Sequence, residues 1–169
     1  MGATAEQQNG QGLFDHETLV YRPAVFAHLV EREVRRAMRY QEFLVILAVA
    51  LGDPAHRVPV PPSLLRLAAD HIYGEVRTTD IVGRLGDGLG VALVCVTEED
   101  ARLVARRLLA RVQGVAGTSA WLSGGGTVVC VGGACFPKSG SDARTLLEVS
   151  LSALQRATEP PSGGVWIGC

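Results

Sequence analysis

The stretch from Arg77 to Val94, RTTDIVGRLGDGLGVALV, constrains the fold of this chain more than any other. The glycine-rich turn Gly86-Asp87-Gly88-Leu89-Gly90 lies between two apolar runs, Ile81-Val82 before it and Val91 to Val96 after it. Asp-Gly in such a setting predicts a tight β-hairpin, because glycine accepts the positive φ that short hairpin turns require. Arg77 and Asp80 stand at the hairpin's entrance. Taken alone, they are an ion pair at a helix end, a contact contributing roughly 0.3–0.5 kcal/mol.

The rest of the chain supplies elements to cover such a hairpin. Residues 1–13 are small and polar and read as a disordered leader, and 14–169 read as one domain. A helix is expected from Pro23 to Tyr40, with proline in its first turn and Phe26, Leu29, Val30, Val34 and Ala37 at helical spacing. Phe43 to Leu51, FLVILAVAL, is an unbroken apolar run of strand length, so it should be a central strand covered on both faces. Prolines make Gly52 to Pro62 an extended connector. Helices are expected over Ser63–Glu75, Glu98–Gly114 and Ser141–Arg156, and strands over Val128–Pro137 and Val165–Ile167. Leu122 to Gly126, LSGGG, has no G-x-x-x-x-G-K-[ST] anywhere to accompany it and is a loop.

Composition narrows the function. A chain of 169 residues that is 47% hydrophobic can bury one sizeable core. A formal net charge of -1 argues against nucleic acid as a partner. Lys138 is the only lysine, so almost all positive charge is guanidinium, a planar fork suited to phosphate and guanine edges. A coding bias accounts for the arginines equally well. Cys95, Cys130, Cys135 and Cys169 show no C-x-x-C spacing, and the first three lie in or beside apolar runs, where cysteine behaves as a small buried hydrophobe. His16, His28, His56 and His71 have no metal-ligand spacing. Without a signal peptide or an apolar run near ~20 residues, the chain is expected to be soluble, reduced and cytoplasmic, with no membrane contact.

The hairpin stretch resembles the signature of the GGDEF domain, the diguanylate cyclase family. That signature has R-x-x-D, five residues, then Gly-Gly-Asp/Glu-Glu-Phe on a hairpin tip; here Arg77-Thr-Thr-Asp80 and Ile81 to Leu85 precede Gly86-Asp87-Gly88-Leu89-Gly90. Asp15, Thr18 and Phe26 match the family's opening segment, while Leu19, Arg22 and Pro23 depart from it. Gly132, Ala134 and Pro137 match a later strand, and Leu146-Leu147, Ala153-Leu154 and Arg156-Ala157 resemble the closing helix. The resemblance spans Phe14 to Ile167. It implies a nucleotide-cyclase-like, ferredoxin-like α/β sandwich, with a mostly antiparallel five-stranded sheet flanked by helices.

The resemblance also implies what has been lost. The family's metal-binding acids, one ending the first strand and one third in the tip motif, fall here near Ala50 and at Gly88, and the tip's second acid falls at Leu89. Making cyclic di-GMP from GTP needs metal-bound carboxylates to neutralise phosphate charge, and neither alanine nor glycine supplies one. The connector after the first strand also lacks the asparagine that grips guanine in active members. No catalysis, metal or cofactor is therefore expected. The R-x-x-D pair belongs to the family's inhibitory site, where the product cyclic di-GMP binds. An Arg fork can donate to guanine O6 and N7 or to phosphate, and a carboxylate can accept from guanine N1–H and its amine. By resemblance the ligand set is Arg77 and Asp80, joined by Arg107 from the helix after the hairpin and Arg36 from the helix before the first strand. The expected function is an inactive GGDEF domain acting as a cyclic di-GMP receptor that relays to an unidentified protein partner, with a ligand-linked homodimer as a further association. The alternative is a nucleotide-independent dimerisation or docking module.

Overall fold

A computed structural model of the chain describes residues 12–52, 59–116, 128–159 and 164–169. Most of the leader, the middle of the connector after the first strand and the LSGGG segment lie outside the described residues. The described elements are α1 (Pro23–Tyr40), β1 (Leu44–Gly52), α2 (Pro62–Tyr73), β2 (Ile81–Leu85), β3 (Gly88–Val94), α3 (Glu98–Ala116), β4 (Val128–Phe136), α4 (Ala143–Thr158) and β5 (Val165–Gly168). Local chemistry sets their ends. α1 begins on Pro23, whose missing N–H costs nothing there, and stops where Gln41 turns left-handed (φ 56) and donates its N–H to the Ala37 carbonyl. α4 starts on Asp142, whose carboxylate accepts the Thr145 N–H at 2.9 Å.

The five described strands form one sheet in the order β2-β3-β1-β4-β5, antiparallel except where β5 runs parallel to β4. β1 is its centre, pairing Leu44 with Val94 on one side and with Phe136 on the other. Alternation along a strand sends successive side chains to opposite faces. Leu44 and Ile46 therefore face α1 and α4, where they meet Phe26, Val30, Val34 and Leu146. Val45, Leu47 and Val49 face α2 and α3, where they meet Leu64, Leu65, Ile72 and Leu108.

Three glycines let layers approach closely. Gly83 and Gly90 are cross-strand partners in β2 and β3, and a Cβ on either would stand 2.5 or 2.6 Å from the Phe26 side chain. The ring of Phe26, fully buried, sits in the slot they leave. A Cβ on Gly132 would lie 2.5 Å from the Ser150 carbonyl oxygen, so α4 packs on β4 at backbone range. The segment before α1 extends the sheet: the Tyr21 N–H donates to Val82 O and the Arg84 N–H to Tyr21 O, at 3.2 and 2.8 Å. It is folded on itself by Asp15, whose carboxylate accepts both the N–H and the hydroxyl of Thr18, contacts that hold the Asp15 pKa below its ordinary value.

Three features differ from the sequence reading. The hairpin closes on a Leu85–Gly88 pair, so its turn is Gly86-Asp87 with the positive φ (+56°) on Gly86, and Gly88 already belongs to β3. Cys135 is not a free thiol but is joined to Cys169, with Cα atoms 5.3 Å apart, because parallel pairing of β5 brings the residue after it beside the end of β4. Cys95 is exposed rather than buried: a left-handed backbone (φ 54) ends β3 there and turns its thiol outward, toward Arg36 and Glu42. No described helix is long and apolar enough to cross a membrane.

The close approach at Gly132 makes Gly132→Ala an overpacking change. It should lower the unfolding free energy by about 1–3 kcal/mol in urea denaturation, with the slope of the transition unchanged.

Candidate ligand-binding site

Where α2 ends, the chain must reverse into β2, and Asp80 fixes how. After Tyr73 the helical pattern frays through Gly74 and Glu75, whose N–H groups donate to Asp70 O and Ile72 O at 3.3 and 2.9 Å. The turn Arg77–Asp80 follows, closed by the Asp80 N–H on Arg77 O at 3.0 Å. One oxygen of the Asp80 carboxylate accepts the Arg77 N–H at 2.8 Å, and the other accepts the Val94 N–H at 3.1 Å. The second bond reaches the last residue of β3, so Asp80 ties the entrance of the hairpin to its exit. With both oxygens held, the carboxylate is fixed in direction and stays half-buried. Arg77, beside it, points an exposed side chain to solvent.

α3 forms the opposite wall. Thr97 and Asp100 cap its start, the Asp100 N–H donating to the Thr97 hydroxyl at 3.2 Å and the hydroxyl donating back to the carboxylate at 2.9 Å. Three helical turns on, Arg107 and Arg111 lie over the end of α2 and meet Glu75, with Nε–Oε distances of 3.4 and 2.7 Å. Between the walls is a surface cavity of about 190 Å³, lined by Glu75, Arg77, Asp80, Asp100, Leu103 and Arg107 among others. Three of the four residues proposed from sequence thus share one cavity.

Arg36 is placed elsewhere. It sits near the end of α1, with Nε 2.7 Å from a Glu33 oxygen and Nη1 2.5 Å from a Glu42 oxygen, and its other amine touches the Cys95 sulfur at 3.3 Å. Hydrogen bonding to Cys95 and then to Glu33 raises its pKa further. It is not among the lining residues of the cavity.

The two positions that the resemblance assigns to metal ligands do come together. A Cβ built on Gly88 lies 3.4 Å from the Ala50 Cα, but also 2.1 Å from the Val49 carbonyl oxygen, so β1 leaves no room for a side chain at Gly88. Asp87, one position earlier, is exposed at the hairpin tip. Among the described residues, no group of three or more His, Cys, Asp or Glu could hold a metal ion. Glu75 and Leu103, which line the cavity, were missed by sequence reasoning, as was Arg111, which pairs with Glu75 but is not among the lining residues. The i,i+4 spacing of Arg107 and Arg111 places them on one helical face, but nothing in the sequence says that the end of α2 lies beneath them.

No protein-family model and no curated protein sequence matches the chain. Solved structures do. The GGDEF domain of YfiN (TpbB) from Pseudomonas aeruginosa superposes with a TM-score of 0.74 at 24% identity, covering 91% of this chain and 93% of that one. The GGDEF domain of FimX from the same organism gives 0.72 at 19%, covering 92% and 98%. The coiled coil and GGDEF domain of DgcB from Caulobacter crescentus, in complex with cyclic di-GMP, gives 0.73 at 15%, covering 96% and 89%. The chain therefore has the nucleotide-cyclase-like fold of GGDEF domains.

The two members of the R-x-x-D pair should separate in stability measurements. Asp80→Ala strands the Val94 and Arg77 amides and should cost about 1–3 kcal/mol, whereas Arg77→Ala removes an exposed side chain and should stay within about 0.5 kcal/mol of wild type. Chemical denaturation of both variants checks this, and equal effects would contradict it.

Proposed function

We propose that this chain is a catalytically inactive GGDEF-type domain that binds cyclic di-GMP at Arg77 and Asp80, assisted by Arg107, and relays the signal to a protein partner. One observation carries the reading: Arg107, distant in sequence, lines one cavity with the neighbouring pair Arg77 and Asp80. Asp80 is suited to a guanine. Each carboxylate oxygen has two lone pairs. One on each is used by a backbone amide, leaving the second pair for N1–H and the exocyclic amine. Arg77 is free to lay its planar guanidinium on a base or to fork onto O6 and N7. Leu103, 56% exposed at the cavity's lip, offers apolar surface to a base. That DgcB was solved with cyclic di-GMP lends this ligand support over other guanine nucleotides.

The inactive half of the proposal rests on Ala50 and Gly88. Two-metal phosphoryl transfer needs oxygen ligands there, and a Cβ at Gly88 would stand 2.1 Å from the Val49 carbonyl oxygen, so a carboxylate could not be added without moving β1. We read Arg36 as a brace at the end of α1 unless it is drawn to ligand in a dimer. A nucleotide-independent interaction module is the second reading. It is favoured by the charge of the cavity, where Arg77 and Arg107 face Glu75, Asp80 and Asp100.

Calorimetric titration of cyclic di-GMP decides between them. Wild type should bind at micromolar concentration or tighter, and Arg77→Ala should lose about 5- to 150-fold, the equivalent of one bidentate contact at about 1–3 kcal/mol. Absence of binding by wild type would leave the interaction module. Incubation with GTP and magnesium should yield no cyclic product.

A further inference from the structure

The cavity's charges are poorly matched to a ligand with two phosphates, and the mismatch has a specific source. Of its three lining carboxylates, two are committed to the backbone or to a cap: Asp80 to the amides of Arg77 and Val94, and Asp100 to Thr97. Glu75 is committed to cations. Its Oε1 accepts from Arg111 Nε at 2.7 Å, its Oε2 lies 3.4 Å from Arg107 Nε, and its own carbonyl is 3.5 Å from Arg107 Nη2. The Glu75 side chain is only 15% exposed, while those of Arg107 and Arg111 are 58% and 63% exposed. A shielded anion thus lies beneath two guanidiniums that present their remaining N–H donors to solvent. The Glu75 main chain is anchored beneath them, its N–H held on Ile72 O at 2.9 Å.

We infer that Arg107 and Arg111 form a phosphate clamp that Glu75 occupies in the absence of ligand, so that Glu75 is a built-in competitor and Arg111 a further binding residue of the site. The inference rests on the ligand reading above for its nucleotide. A phosphate offers the same fork-accepting oxygens as a carboxylate with more charge, and it approaches from the solvent side, where the guanidiniums are open. Glu75 is then a positioning residue. It preorganises the two arginines and weakens the anion that replaces it. Both guanidiniums are more than half exposed, so water screens each pair, and the competition is a modulation of affinity and not a block.

Glu75→Gln retains the shape and a hydrogen-bond acceptor but removes the charge. The test is calorimetric titration of cyclic di-GMP into wild type, Glu75→Gln and Arg111→Ala, repeated with inorganic pyrophosphate followed by phosphorus NMR. Glu75→Gln should bind about 2- to 5-fold more tightly, and Arg111→Ala about 2- to 5-fold more weakly with a shallower salt dependence. Equal or weaker binding by Glu75→Gln overturns the inference, since a merely structural Glu75 would move stability and not tighten a ligand. If cyclic di-GMP binds none of the three proteins but pyrophosphate follows the expected order, the clamp stands and the nucleotide reading falls. If neither probe binds any of them, both fall.

Discussion

The double-sided burial of β1 is the constraint on which the rest of the structure depends. Leu44 to Val49 are all buried, each to within about 1% of complete exclusion from water. Fully burying an aliphatic side chain of this size contributes roughly 1.5–3 kcal/mol, and here that gain requires a helical layer on each face at once. Because alternate residues point opposite ways, α1 with α4 and α2 with α3 become obligatory partners of one strand. The hairpin and β4 must then occupy its two edges, since a buried strand cannot leave its N–H and C=O groups unpaired.

The candidate site is a by-product of that arrangement. α2 and α3 lie on the same face of the sheet, and their packing brings the end of α2 under the middle of α3. Glu75 meets Arg107 and Arg111 only for this reason. Asp80 links the two levels of organisation. Its carboxylate holds both ends of the hairpin together through backbone amides, and the same bonds orient the oxygens that a guanine would need. On the proposed reading, a residue that does structural work in the free protein is also the one that reads the ligand, while its neighbour Arg77 is exposed and holds no part of the fold by its side chain.

Glycine plays the opposite part at Gly88. The bulk of a side chain there would collide with β1, so this position differs from an acid by more than its chemistry. The hairpin has settled onto its neighbour strand in a way that a carboxylate at this point would prevent. Gly83 and Gly90 show the same logic used for packing, as the slot that receives Phe26.

The sequence by itself determined the elements and much of their ends. An apolar run without charge could only be a covered strand, Pro23 marked a helix start, and a glycine-rich interruption between apolar runs marked the hairpin. These are local preferences, set by φ, by missing donors and by periodicity, and they survive whatever surrounds them. The placement of Arg77 and Asp80 at the hairpin's entrance was legible for the same reason. Tertiary structure decided what distance along the chain conceals. The turn is Gly86-Asp87 because β2 and β3 pair through Leu85 and Gly88; Cys135 found Cys169 because β5 runs parallel beside β4; Arg36 turned to Glu33 and Glu42 instead of the cavity; and Glu75 entered the site from below. Each depends on which surfaces face one another, a matter settled by the packing of two helical layers on one sheet and by no single segment's own preferences.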